Sequence, residues 1–307
     1  AKVADGYSQE TIATGLGGPT CLVFEEEVLL VCDRDGGRII TVEGEVILSG
    51  LDHPHGMLLL DDAVIISEEG KLTRYDSNFE NPEVLVEGIP SGNHQTNAVN
   101  LLPNGTLIWH SGSTCNHCDE DDSRNAALLW VNATTGEHGI LATGVRNSFD
   151  GVWVDEIGYL FTDNGQDAEG NDFPNEEVNL LVDGADYGWL VESKSDPNPD
   201  GTEAPVATWT PHTSVNGMTT RPANMPGDNY TVYATVYGSW ATILPAGHQI
   251  LKIDFTQTDD GWVGDVEIFA EDVGTPLPIT GGPDGNLYYA TFDHGGSVHV
   301  ISPEANS

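Results

Sequence analysis

The chain has 307 residues, of which 49 are Asp or Glu and only 10 are Lys or Arg, so its formal net charge is −39. Such a charge repels phosphate groups, and no basic patch offsets it, which argues against nucleic acids and anionic membranes as partners. No run of about 18 apolar residues predicts membrane insertion. The start, AKVADGYSQE, lacks a signal-peptide pattern. We therefore expect a soluble chain without its export signal, from a saline, halophilic source where salt screens the charge.

Short apolar runs bounded by Gly, Asp, Asn and Pro recur along the chain, and no stretch keeps a helical period for three turns. The runs form six imperfect repeats that begin near Gly15, Leu51, Asn93, Val145, His212 and Pro276. A β-sandwich would explain the strands but not the repeats. The sequence therefore predicts an all-β, six-bladed β-propeller that forms one domain over residues 1–307, with the early strand TIATG completing the last blade.

The first repeat contains a cysteine pair in the segment CLVFEEEVLLVC. A hairpin that turns about Glu26 and Glu27 places Cys21 opposite Cys32, which makes a cross-strand disulfide feasible. Two buried free thiols are the alternative. A disulfide would indicate an oxidising compartment, so we expect an exported protein.

The loops that enter the innermost strands of a propeller meet at the mouth of its channel. We therefore expect His55, His94, Asn147, His212 and Asn216 to be neighbours around one pocket, although they are far apart in sequence. An imidazole such as that of His94, in GNHQTNAV, could act as a general base near neutral pH. A structural histidine is the alternative.

The third repeat carries the sequence CNHC, in which His117 lies between the two cysteines, and His110 is close by. A zinc site is one interpretation, but a second CxxC or a pair of histidines at zinc-finger spacing is missing. A local disulfide between Cys115 and Cys118 is therefore favoured.

Two features follow in the fourth repeat. Arg146 is one of few arginines in the chain and precedes an innermost strand, where it could face a bound carboxylate or take part in a structural salt bridge. The later loop DNGQDAEGNDFPNEEVN combines carboxylates with glycines. Hard oxygen ligands on a bendable loop suit Ca²⁺, although the spacing is not that of an EF-hand and a solvated acidic loop is the alternative.

These motifs, taken in order, resemble those of the soluble sugar dehydrogenases that depend on pyrroloquinoline quinone (PQQ), of the aldose and L-sorbosone dehydrogenase type. The resemblance covers nearly the full chain and is strongest between His94 and Trp189. It rests on PHG, GSTCNHCDEDDSR, TGVRN, FPNEEVN, YGW, NMPG and GSW. That family consists of six-bladed propellers.

The resemblance implies roles for particular residues. His94 would be the general base and Arg146 would stabilise charge on the reduced cofactor. The cofactor would be bordered by Gln95, Asn147, Arg221 and Trp240. Calcium would be bound by Gly165, Gln166 and Glu177. The substrate would be a small sugar, and an external electron acceptor would complete the reaction.

The chain departs from the family at two positions. Members commonly place basic residues against the three carboxylates of the quinone, where this chain has Ala241 and Thr275. Two other functions therefore remain open. One is a metal-dependent hydrolase or lactonase in which His55, His94 and His212 bind a divalent ion. The other is a non-catalytic carbohydrate-binding propeller.

Overall fold

The computed structural model describes residues 1–239, 246–293 and 295–305, and every regular element in these ranges is a β-strand. The strands form six antiparallel sheets, one for each predicted repeat. The innermost strands contact one another in turn around a ring. The predicted six-bladed β-propeller is thus confirmed. Within these ranges no helix is long and apolar enough to cross a membrane.

In each blade the strands follow one another from the innermost strand outwards. Blade one has β3 (Pro19–Glu25), β4 (Val28–Asp33), β5 (Arg38–Thr41) and β6 (Val46–Ser49), and blade two has β7 (Gly56–Leu59), β8 (Ala63–Glu68), β9 (Lys71–Asp76) and β10 (Glu83–Val86). Blade three has β11 (Thr96–Leu101), β12 (Leu107–Ser111), β13 (Ala127–Val131) and β14 (His138–Thr143), and blade four has β15 (Gly151–Val154), β16 (Gly158–Asp163), β17 (Glu176–Leu180) and β18 (Ala207–Trp209). Blade five has β19 (Val215–Thr220), β20 (Thr231–Val236), β21 (Gln249–Thr258), β22 (Gly261–Glu271) and the short β1 (Lys2–Val3), and blade six has β23 (Pro276–Gly281), β24 (Leu287–Thr291), β25 (Ser297–Pro303) and β2 (Tyr7–Thr14).

The ring closes through a strand from the other end of the chain. β2 pairs antiparallel with β25, with Tyr7 opposite Pro303 and Thr14 opposite Ser297. This strand contains most of the TIATG segment, so the predicted completion of the last blade is confirmed. With the ring closed, the innermost strands of blades six and one, β23 and β3, are in contact.

The hydrophobic core is divided among six clusters, and each cluster lies between two neighbouring blades. Leu30 of blade one packs with Met57 of blade two, for example. Because sheets in a propeller are buried on both faces, their strands are apolar on both faces too, and all six residues of β8 are buried. For this reason some strands appear in the sequence as continuous apolar runs, whereas others alternate between apolar and polar residues.

Both predicted disulfides are present, which also excludes the interpretations with free thiols or a zinc site at these cysteines. In the first hairpin Cys21 lies opposite Cys32 and Phe24 opposite Leu29. Glu26 forms the turn with a φ of 54°. The register of this hairpin was therefore predicted correctly from the sequence.

The two disulfides are expected to differ in their contribution to stability. The double substitution Cys21→Ala/Cys32→Ala is expected to lower the free energy of unfolding by about 3 kcal/mol, because the crosslink removes loop-closure entropy from the unfolded chain. Cys115→Ala/Cys118→Ala is the matched control and should cost less, since its sequence separation is 3 rather than 11. Denaturant unfolding at equilibrium measures both; an equal loss would contradict the loop-length argument.

Candidate active site

A polar cavity opens on the propeller axis, at the end where the innermost strands begin. It has two adjoining lobes of about 420 Å³ each. The axial lobe is lined, among others, by Arg34, His55, Glu69, Gln95, Asn97, Phe149 and Asn216. The acidic lobe is lined, among others, by Arg146, Asn164, Gly165, Asp167, Glu176 and His212. Both lobes are lined by Asn93, His94, Asn147 and Ser214. The loops that enter the innermost strands thus meet in one place.

His94 lies where the two lobes meet, on the loop that enters β11. Its Nδ1 is 2.9 Å from Ser113 Oγ and 3.1 Å from the Ser113 carbonyl oxygen. The Ser113 hydroxyl itself donates to the carbonyl of Cys115 at 2.7 Å. Nδ1 must therefore carry the hydrogen, and Nε2 retains a free lone pair. Gly112 permits this arrangement, because a Cβ there would lie 2.6 Å from that of His94.

The environment of His94 keeps its imidazole neutral. Burial and, secondly, the positive charge of Arg146 together lower the pKa of His94 to about 4. At neutral pH the side chain is therefore an unprotonated base. Its proton affinity is modest, so catalysis by His94 depends on a substrate proton that becomes acidic as the reaction proceeds.

Arg146 is buried, with 4 % of its surface exposed. Its Nε donates to the carbonyl oxygen of Asn116 at 3.0 Å, and Nη1 donates to that of Asn164 at 3.1 Å. Nη2 donates to Asn116 Oδ1 at 2.9 Å and lies 3.4 Å from Asp167 Oδ2. Four of the five N–H groups of the guanidinium are therefore used within the protein. One Nη1 hydrogen remains for a ligand.

The disulfide of the CNHC segment supports this arginine. Asn116 lies between the two bonded cysteines and supplies two of the acceptors of Arg146. Asn116 Oδ1 also accepts the backbone N–H of Asp167 at 2.8 Å, and its Nδ2 donates to the Asp167 carbonyl at 3.0 Å. The CxxC is thus part of the scaffold of the pocket.

A network of side-chain amides determines which groups in the axial lobe can donate hydrogen bonds to a ligand and which can accept them. Asn97 Nδ2 donates to Asn147 Oδ1 at 3.0 Å and to the Ser148 carbonyl at 2.9 Å. Asn97 Oδ1 must then accept the hydrogen of His55 Nδ1, 2.9 Å away. Burial lowers the pKa of His55 to about 3, so its Nε2 is a neutral acceptor. The amide of Asn147 keeps its N–H groups for a ligand.

Four carboxyl groups with raised pKa values lie around Arg146. Asp163, Glu177 and Glu192 line a small cavity, called the carboxylate cavity below, which shares Arg146 and Gly165 with the acidic lobe. Burial raises the pKa of Asp163 to about 7 and that of Glu192 to about 8. Burial and the charge of Asp163 raise the pKa of Glu177 well above its usual range. Burial likewise raises the pKa of Glu176 to about 8.

Buried oxygens without a hydrogen-bond partner occur on the same side of the pocket. They are Asn164 Oδ1, Gln166 Oε1 and Glu176 Oε2. A buried acceptor without a partner costs free energy, and so does a group of carboxyls that repel one another. A hard cation would remove both costs, because oxygen atoms are the ligands that Ca²⁺ prefers. The residues around Gly165, Gln166 and Glu177 therefore fit a calcium ion.

The three-histidine metal site is not formed. His212 Nε2 donates to the carbonyl of Gly170 at 2.6 Å, and its Nδ1 lies 3.9 Å from Asp167 Oδ1. His55 is bonded to Asn97 in the other lobe. Among the described residues, the sets whose ligand atoms lie within 4.8 Å of one another do not include His55, His94 and His212. The three residues share a cavity but do not converge, and the prediction of a metal site there is wrong.

The predicted cofactor contacts have different outcomes. Gln95 and Asn147 line the pocket. Arg221 follows the far end of β19 and is held there by the carbonyls of Asp228 and Met225, so its predicted place at the cofactor is wrong. Trp240 lies outside the described residues, as does Ala241. Thr275 lines a separate cavity near Tyr289 and His299.

Sequence reasoning missed Arg34 and Glu69, which line the axial lobe. Arg34 follows β4, and Glu69 follows β8. Each of these strands runs antiparallel to an innermost strand and so returns to the mouth of the channel. The repeat pattern could therefore have identified both residues. In each blade, the loop after the second strand reaches the pocket, as does the loop before the innermost strand.

The fold and the site define a six-bladed β-propeller with a neutral histidine and a buried arginine at its central pocket, and with a carboxyl cluster suited to a cation behind that arginine. No known protein-family profile matches the chain. A protein of Borreliella burgdorferi described as uncharacterized is 26% identical over an alignment 244 residues long, and the alignment covers 69% of this chain and 62% of that protein. The aligned region therefore spans less than two thirds of that relative.

Solved structures resemble the chain over nearly its whole length. The calcium structure of the Trichoderma reesei carbohydrate-active enzyme of family AA12 has a TM-score of 0.79 at 17% identity, covering 98% of this chain and 96% of that one. The holo PQQ domain of pyranose dehydrogenase from Coprinopsis cinerea has a TM-score of 0.77 at 18% identity, with the same coverage. The PQQ-bound aldose sugar dehydrogenase from Streptomyces coelicolor has a TM-score of 0.74 at 20% identity, covering 99% and 100%. At these identities the likeness establishes the shared fold.

Proposed function

We propose that this protein is an exported dehydrogenase that uses PQQ and Ca²⁺ to oxidise an aldose or a related sugar aldehyde, with His94 as general base. The observation that carries the proposal is the neutral imidazole of His94 beside the buried guanidinium of Arg146, where the two lobes meet. The pyranose and aldose sugar dehydrogenases that share the fold support the reaction class.

The charges around the pocket suit a cofactor with three carboxylates only if a cation is bound as well. Arg34 borders the axial lobe, and Arg146 offers one free N–H from the acidic lobe. Without a cation, Arg34 pairs with Asp35 at 3.0 Å, and Arg146 faces Asp167 and the neighbouring Asp163 and Glu176. Calcium bound near Gly165, Gln166 and Glu177 would add two positive charges and make the local charge favourable to an anionic cofactor. It would supply positive charge for the carboxylates of the quinone.

The quinone, when bound, supplies an acceptor for the hydrogen and electron pair of the sugar C–H bond, and an external acceptor takes the electrons afterwards. His94 removes the proton of the sugar hydroxyl at Nε2, which the bond from Nδ1 to Ser113 keeps free. Asn147 can donate to a ligand oxygen, and His55 Nε2 can accept from a second hydroxyl. Arg146 offers positive charge near the reacting atoms.

A titration with quinone tests the proposal. In saturating Ca²⁺, micromolar quinone is expected to raise the melting temperature by mass action and to permit dye reduction with one or more sugars of an aldose panel. Arg34→Ala is expected to weaken quinone binding about 10-fold or more, because it removes a charge-assisted contact. Arg74→Ala is the control, since Arg74 pairs with Asp62 in blade two.

Three outcomes would count against the proposal. The absence of any stabilisation by quinone would exclude the cofactor. Sugar binding without dye reduction by the quinone-loaded protein would favour the carbohydrate-binding alternative. Equal quinone affinity in Arg34→Ala and the native chain would remove Arg34 from the cofactor site.

Export to a saline environment is part of the same proposal. Two disulfides support an oxidising compartment. The net charge of −39 supports a medium in which salt screens repulsion between carboxylates.

A further inference from the structure

A second group of metal-ligating side chains lies at the rim of the axial lobe, on the loops before β7 and after β8. His53 Nδ1 is 2.8 Å from Asp52 Oδ1 and 3.0 Å from Glu69 Oε2. These three atoms lie within 4.8 Å of one another, and Glu69 also lines the axial lobe. The group is separate from the carboxylate cavity, which lies behind Arg146.

A single two-centre hydrogen bond satisfies only one of the two carboxylates in this arrangement. Nδ1 of an imidazole carries at most one hydrogen, yet two carboxylate oxygens converge on it from different loops. A metal ion satisfies all three atoms together. Zinc bonds to histidine nitrogen and carboxylate oxygen are roughly 2.0–2.2 Å long, so tetrahedral ligands are roughly 3.3–3.5 Å apart. The observed separations are a few tenths of an ångström shorter.

The two loops are fixed to each other by contacts outside the cluster. The backbone N–H of Asp52 donates to Oε2 of the buried Glu68 at 2.7 Å, and the backbone N–H of Glu69 donates to the Asp52 carbonyl at 2.9 Å. The Ser91 hydroxyl donates to the second carboxylate oxygen of Glu69. The backbone contacts therefore fix the spacing of the two loops, and the Ser91 hydroxyl orients the Glu69 carboxylate as outer-shell contacts orient the ligands of metal sites.

We propose that Asp52, His53 and Glu69 bind a divalent transition-metal ion of the zinc class at the rim of the central pocket. One nitrogen and two carboxylate oxygens suit zinc, whereas an imidazole ligand is unsuited to Ca²⁺. Three protein ligands leave the fourth position for water or for a solute that enters the axial lobe. The negative surface of the chain raises the local concentration of cations around the site.

Calorimetric titration with Zn²⁺ tests the site, in millimolar Ca²⁺ so that other carboxylates are occupied. One Zn²⁺ per chain is expected to bind. His53→Asn is expected to weaken that binding by at least ~10-fold, since even the loss of an outer-shell contact costs that much. Asparagine tolerates the φ of 46° at this position, so the loop conformation is retained. His248→Asn is the matched control, because His248 is also a histidine at positive φ, 59°.

A second variant separates loss of the site from loss of the fold. Glu69→Gln is expected to weaken Zn²⁺ binding as His53→Asn does, with the melting temperature in Ca²⁺ unchanged. The proposal is overturned if the native chain binds no Zn²⁺ under these conditions. It is also overturned if either folded variant binds Zn²⁺ as tightly as the His248→Asn control. The measurement involves neither quinone nor sugar, so its outcome is independent of the proposed dehydrogenase activity.

Discussion

Replacing His94 with alanine is expected to lower kcat/KM for the sugar by about 10²–10⁴-fold, which is the usual contribution of a positioned general base. The fold should be retained, because His94 lies on a loop and donates only to Ser113. His138→Ala is the matched control, since that histidine lies on the outer strand of blade three. Initial rates of dye reduction in saturating quinone and Ca²⁺ measure the effect.

The pH profile gives an independent test of the same residue. A general base works in its unprotonated form, and burial lowers the pKa of His94 to about 4. The rate should therefore be constant through neutral pH and fall only as the pH decreases through about 4. A fall centred near 6.5, the usual value for histidine, would contradict a buried base. Nearly native turnover in His94→Ala would exclude His94 from the proton transfer.

The propeller could be predicted because it depends on local patterns. The hairpin from Cys21 to Cys32 follows from strand alternation around a two-residue turn, and pairing of β2 with β25 follows from an unpaired early strand. The repeats specify which residues precede innermost strands. The arrangement of His94 and Asn147 around one cavity is a consequence of that topology.

The chemistry inside the pocket could be predicted only in part, because it depends on side-chain direction. His212 reaches the pocket by position, but its hydrogen bond to Gly170 turns Nε2 away. Arg221 is close in sequence to pocket residues, yet it follows the end of β19 that is far from the pocket. Arg34 was missed because a turn with the sequence DRDGG looks exposed until its blade is placed in the ring.

Removal of Ca²⁺ is expected to make stability depend on pH in a particular direction. Asp163, Glu177 and Glu192 have folded-state pKa values above the usual value near 4, so in the metal-free protein these carboxyls bind more protons in the folded than in the unfolded state between about pH 4 and 8. Their contribution to the free energy of unfolding falls as the pH rises through that window, and the lowered pKa values of His55 and His94 oppose this fall only below about pH 6.5. In protein stripped of Ca²⁺ and kept in metal-free buffer, the melting temperature should be lower at pH 8 than at pH 5.

Calcium should restore stability most at high pH, where the metal-free protein is least stable. The ion binds the ionised carboxylates and competes with protons for them. At pH 8 and about 100 times the dissociation constant, Ca²⁺ is expected to raise the melting temperature by roughly 5 °C, and by less at pH 5. Glu177→Gln should lose most of this response, whereas Glu43→Gln, at an exposed turn, should keep it. Melting curves at the two pH values, with and without Ca²⁺, measure the difference. If Ca²⁺ stabilised the native chain and Glu177→Gln equally, the cation would bind elsewhere, and the raised pKa values would belong to carboxyls that stay protonated.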